Sequence, residues 1–265
     1  MKRSTIMFPV MLALLLAAGP TTAPSSSVKP GLTAPAKKEI AMQLVSAAEN
    51  SSLDWRAQYA YIEYNVEHNA RENRGYTAGI IGFTSRTHDM LEVVRLYDTI
   101  SPKNVLSKYL PALEKVDDTP ATTGLGKDFE RDWKMAGADP KFREAQDRER
   151  DRTYFDPTVS QAQADGLHEL GQFAYYDCAV MHGSCEHVRA AAMKKAKTPA
   201  QGGDEVAYLN AFLDARVREM KREEAHGDVS RVETAQRVFL REGNLSLDPP
   251  LRFKTYGDEY TIPGR

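Results

Sequence analysis

Apolar residues recur every three to four positions through most of the chain, and that spacing predicts helices. Between residues 37 and 50, Ile40, Leu44, Val45 and Ala48 form one stripe, and Asn50 with two serines stops it. Ser101-Pro102 reads as an N-cap with proline at the first helical position, ahead of Val105, Leu106, Tyr109 and Leu110. Asp156-Pro157 repeats the device and predicts one long helix to about residue 182, with Leu167, Leu170, Ala174, Cys178 and Met181 buried. A further helix from about residue 204 to 226 turns Val206, Leu209, Leu213, Val217 and Met220 inward. Ser230 and Glu233 then predict a capping box, and Gly243 a stop.

Strand patterns are few. Residues 59–62 and 76–83 are the best, and the polar stretch between them, with Glu67, Asn69 and Asn73, reads as a long hairpin loop. Residues 251–256 read as extended. No internal repeat is present. The pattern predicts a mainly α fold (α+β): two helical lobes around a groove, one carrying a small antiparallel sheet, with the long helix as spine.

The start of the chain differs in kind. Lys2 and Arg3 precede an apolar run from Ile6 to Ala18, followed by small residues, which predicts a signal peptide over residues 1–23. The Pro/Ser/Thr-rich residues 24–35 read as a disordered linker, and residues 36–265 as one catalytic domain of two lobes. The expected product is a secreted, extracellular monomer with no membrane contact after signal removal. A formal net charge of −2 lacks the basic surplus of a nucleic-acid binder. Only Cys178 and Cys185 are present. With His182 and His187 they match no metal-ligand spacing, so the reading is a buried cysteine and a loop cysteine. A bridge between them is left open, being awkward if both lie on one helix.

Two carboxylates facing each other across a groove are the minimal apparatus for glycosidic cleavage. Glu49 sits on the last turn of an amphipathic helix, where the helix dipole and apolar neighbours disfavour a second negative charge, as a general acid requires. Glu72 lies in a polar loop and suits a general base. Arg74 is placed to hold it, and the Thr77 hydroxyl to position a water. Arg216 falls on the inward face of its helix, and a buried charge needs a partner. Asp177 is the expected one, with Arg231 as a second cation. Asp89 opens a helix, either as a capping residue or as a contact for an amino sugar.

The blocks KKEIAMQLVSAAENSSLDWRAQYAYIE, RGYTAGIIGFTSRTHDMLEVV, DRERDRTYFDPTVSQAQADGLHELGQFAYYD, KTPAQGGDEVAYLNAFLDAR and SRVETAQRVFL resemble the bacterial chitosanases of glycoside hydrolase family 46. The resemblance runs from about residue 37 to about residue 260. It implies a lysozyme-like fold and endo-hydrolysis of β-1,4-linked glucosamine polymer with inversion, needing no cofactor or metal. It places Glu49 as proton donor and Glu72 where the family has an aspartate base. It matches Thr77 to water positioning, Asp89 to amine binding, and Asp177, Arg216 and Arg231 to a buried ion network. Glu63 and Glu223 are further candidates for the ammonium groups of chitosan and glucosamine oligosaccharides. The loop before Arg74 is longer than the family's usual one, so Glu67 and Glu63 stay alternative bases. A muramidase acting on peptidoglycan and a catalytically impaired chitosan-binding protein are the competing readings.

Overall fold

The folded body begins earlier than the composition suggests. The computed structural model describes residues 31–66, 68, 73–222 and 227–264. Gly31–Thr33 form a 3-10 turn whose Leu32 is fully buried, and the Leu32 N–H donates to Gln172 Oε1 at 2.8 Å. Residues 31–35 are therefore not linker: one buried leucine and one buried hydrogen bond anchor them. The proposed signal peptide and the rest of the linker lie outside the described residues.

Helix α1 (Pro35–Asn50) buries the predicted stripe and closes on Ser51, whose left-handed backbone sends its N–H to Ser46 O. Strands β1 (Ile62–Tyr64), β2 (Tyr76–Ala78) and β3 (Phe83–Thr84) form an antiparallel sheet in that order, with Glu63 opposite Thr77. Two strand expectations change here. Residues 55–60 are a 3-10 helix, capped by Asp54, which accepts from the Ala57 N–H, so only Ile62 of residues 59–62 is in a strand. Residues 76–83 are not one strand but two joined by a turn, because Gly79 and Gly82 adopt φ of 75° and 73°. Buried Gln146 holds that turn: its Oε1 accepts from Ile80 N at 3.2 Å and its Nε2 donates to Tyr59 O at 2.9 Å.

Helix α2 (Asp89–Ile100) ends at Ser101, so Ser101-Pro102 stops a helix instead of starting one. Asn104 supplies the next cap, accepting from the N–H groups of Leu106 and Ser107 ahead of α3 (Leu110–Val116). After α4 (Phe129–Ala136), α5 (Pro140–Arg150) starts on an Asp139 cap. It continues without interruption through a π-helical stretch (Asp151–Phe155) into α6 (Asp156–Ala164). Asp156-Pro157 is thus inside a helical run. The wider π register, with Asp156 N–H reaching Asp151 O, accommodates the proline that lacks a donor. The predicted single helix to residue 182 is broken at Gly166, whose φ is 81°, and α7 (Glu169–His182) is separate. The spine is the α5–α6 run, which packs on α2 at one end and on α7 at the other.

Helix α8 (Glu186–Met193) follows, and Cys178 on α7 is disulfide-bonded to Cys185 at the head of α8. The reading of two separate cysteines is corrected: α7 ends at His182 and Gly183 reverses the chain with φ 74°, so the two lie on different elements. Helix α9 (Glu205–Met220) is capped by Asp204, which accepts from Ala207 N at 2.8 Å. Its first turn leaves Val206 exposed, contrary to the inward assignment, while Leu209, Leu213 and Arg216 are buried. The Ser230–Glu233 capping box does not form. Ser230 Oγ accepts from Tyr256 N instead, and Glu233 pairs with Arg237 at 3.0 Å. A π stretch (Arg231–Gln236) leads into α10 (Arg237–Arg241), and strands β4 (Leu251–Thr255) and β5 (Asp258–Ile262) close the chain as a two-stranded sheet. Among the described residues no helix is long and apolar enough to cross a membrane.

Candidate active site

The end of α1, the β1–β2–β3 sheet, the start of the 231–236 stretch and the β4–β5 turn converge on a cleft of ≈ 420 Å³. Helix α1 contributes Glu49 and Asn50, the sheet lobe contributes Arg74 and Thr77, and the opposite wall contributes Arg231 and Tyr256. Glu49 is reachable because α1 stops immediately after it. Its side chain is 23% exposed, while the preceding residue, Ala48, is buried.

Arg231 joins Glu49 to a buried charge network. One guanidinium nitrogen, Nη2, lies 2.7 Å from Glu49 Oε1 and 2.6 Å from Asp177 Oδ1. The other Asp177 oxygen accepts from Arg216 Nη1 at 2.6 Å and from Gln236 Nε2 at 2.6 Å. Burial pushes the Asp177 pKa up, but the two guanidinium groups outweigh it and hold the carboxyl at about 2. Arg231 therefore already faces a full negative charge. Its contact with Glu49 orients that carboxyl from the back of the cleft.

Besides Arg231 Nε, two polar atoms on cleft residues are buried without a hydrogen-bond partner among the described residues: Thr77 Oγ1 and Asn50 Nδ2. Buried polar groups are normally paired, so each is available to something in the cleft. The sequence singled out Thr77 but missed Asn50. It also missed Tyr256 and the link from Arg231 to Glu49. The polar stop after the α1 stripe was the available signal for Asn50. Nothing local marked the other two, because they arrive from the far end of the chain.

The remaining candidates fall elsewhere. Glu72, its alternative Glu67, and Glu223 lie outside the described residues. Glu63 is exposed on β1, where its carboxylate accepts from the Tyr61 hydroxyl at 3.1 Å, and it is not on the cleft wall. Asp89 is buried and does not line the cleft. Its carboxylate accepts from the N–H groups of Thr84 and Met90 and from the hydroxyls of Thr87 and Tyr154. Burial pushes its pKa up to about 6 against those four donors. Asp89 is not the N-cap of α2, which is His88; it is the first helical residue, and its carboxylate ties the head of α2 to β3. Among the described residues no three His, Cys, Asp or Glu side chains are grouped to hold a metal ion.

Residues 43–251 match the model of glycosyl hydrolase family 46. A Streptomyces chitosanase is 58% identical over 262 residues, covering 96% of this chain and 92% of its own. A Bacillus subtilis chitosanase is 33% identical, covering 84% of each. Among solved structures, a chitosanase co-crystallised with substrate superposes with a TM-score of 0.83 at 53% identity, over 88% of this chain and 98% of its own. A Gynuella sunshinyii family member in complex with chitotetraose superposes with a TM-score of 0.77 at 31% identity, over 86% and 98%.

Proposed function

The chain belongs to glycosyl hydrolase family 46, and from that premise we propose that it is an endo-acting hydrolase of the β-1,4 linkages of chitosan working by single displacement with inversion. Glu49 protonates the leaving glycosidic oxygen. Glu72 removes a proton from the attacking water on the opposite face of the sugar, and Thr77 Oγ1 holds that water. Inversion by this route needs carboxyls roughly 6.5–9.5 Å apart, with the water between them. The observation that carries the reading is the position of Glu49: it is partly exposed at a helix end, oriented by Arg231, and shares its cleft with Thr77 and Arg74.

Kinetics of three variants test it. Glu49→Gln should lower chitosan hydrolysis about 10²–10⁴-fold while leaving binding intact. Glu72→Gln should do the same and Glu67→Gln should not. The reverse order would move the base to Glu67. Unimpaired turnover by Glu49→Gln would end the proposal. The anomer released first, read by proton NMR, separates inversion from retention. We further read residues 1–23 as a signal peptide for secretion, so protein recovered from culture medium should begin near residue 24 when sequenced from its N-terminus.

A further inference from the structure

The turn joining β4 to β5 breaks a local rule. The register pairs Thr255 with Asp258, so Tyr256-Gly257 is a two-residue hairpin loop, with φ of 52° at Tyr256 and 90° at Gly257. Loops with positive φ at both central positions favour Asn-Gly, Asp-Gly or Gly-Gly, because any larger side chain at the first position meets the backbone. A tyrosine there is a poor choice for folding. Such conformations persist where the surroundings over-determine them, and they cluster at functional sites.

The surroundings do so here. The Tyr256 N–H donates to Ser230 Oγ at 2.8 Å, next to Arg231. Thr255 Oγ1 donates to Ala47 O at 3.1 Å, two residues before Glu49. The hairpin is thus pinned to both elements that build the acid's environment. The ring itself is not packed away: Tyr256 is 47% exposed and lines the same cleft as Glu49. Its hydroxyl has no hydrogen-bond partner among the described residues. Burial raises the pKa of that phenol, and the charges of Arg231 and Glu49 act on it next.

We propose that Tyr256 is a substrate-contact residue that takes the face of a glucosamine unit on the C-terminal wall of the cleft and sets where along the chain cleavage falls. An exposed aromatic face offers the apolar surface of a pyranose a packing partner and attracts its ammonium group. The free hydroxyl offers a hydrogen bond to a sugar hydroxyl. The inference rests on the chitosan-hydrolase reading of the cleft.

Tyr256→Asn separates this role from a structural one, because Asn-Gly is the preferred loop. The variant should melt at or above the wild-type temperature, raise KM for chitosan at least about fivefold, and shift the fragment ratio from glucosamine hexamer. Tyr256→Phe keeps the ring and should fall between the two in KM, with the wild-type melting temperature. Wild-type kcat/KM and fragment ratio in Tyr256→Asn would overturn the inference. So would a KM change that merely tracks a lost melting temperature in both variants. Wild-type protein that fails to cleave chitosan would instead remove the underlying reading.

Discussion

Thr77 Oγ1 is a hydroxyl enclosed on the cleft wall with nothing in the described structure to bond. If its duty is to hold the nucleophilic water, replacing it affects chemistry and spares the fold. Thr77→Val keeps the β-branched shape that suits β2 and deletes only the hydroxyl. The melting temperature should stay within about 2 °C, since no intramolecular hydrogen bond is lost. kcat should drop about 10- to 100-fold, the scale of a misplaced reactant, and Thr77→Ser should restore most of it. Stopped assays of reducing-end release measure both. Equal kcat in Thr77→Val and wild type would remove Thr77 from the reaction. Thr77 and Glu49 were visible in the sequence because each sits in a local frame with its own meaning, a Gly-rich strand and a helix stop. Tyr256 and the Arg231–Glu49 contact were not. Each depends on segments more than 180 residues apart in the chain, and no window of local pattern spans that distance.

At the level of elements, the hairpin that carries Thr77 depends on the Gly79–Gly82 turn and its clamp. A Cβ on Gly79 would lie 2.4 Å from Gln146 Oε1, at a φ that side chains rarely adopt. Gly79→Ala should therefore destabilise by about 2 kcal/mol or more, combining the left-handed penalty with displacement of a buried amide. Urea denaturation at fixed pH reads this, and a change below about 0.5 kcal/mol would show the turn to be adaptable. The same two glycines explain why one expected strand became two: the largely apolar run over residues 76–83 passes through a chain reversal. The π stretch before Pro157 shows a related limit. Asp-Pro is a sound helix-start signal when the preceding chain is free, yet here α5 already delivers a helix into it. Helix positions were legible because burial follows the stripe in α1 and, in α9, its members Leu209, Leu213 and Met220. The disulfide was not, because it needs the α7 stop at Gly183 to be known first.

Over the whole molecule, two buried aspartates pull stability in opposite directions with pH. Asp177 ties α7, α9 and the 231–236 stretch behind the acid, and its pKa of about 2 lies below the value of 3.8 for a free side chain. Its contribution is in place above about pH 4 and is lost as the pH falls through about 2; the difference corresponds to roughly 2 kcal/mol. Asp89 ties α2 to β3 with a pKa of about 6, above the free value. Its contribution is full below about pH 4 and is lost as the pH rises through about 6, by roughly 3 kcal/mol. Their joint contribution peaks near about pH 4, within the range where the amines of chitosan are protonated. Urea unfolding followed from pH 2 to 8 should show both limbs. Asp177→Asn should shrink the acid limb and, by leaving buried Arg216 without a counter-charge and Arg231 with Glu49 alone, lower stability at pH 7 by about 3–5 kcal/mol. Asp89→Asn should flatten only the limb between pH 4 and 6. If stability instead rose from pH 4 to 6 in wild type and Asp89→Asn erased that rise, the four donors around Asp89 would outweigh its burial. The carboxylate, not the acid, would then be the form the fold prefers there.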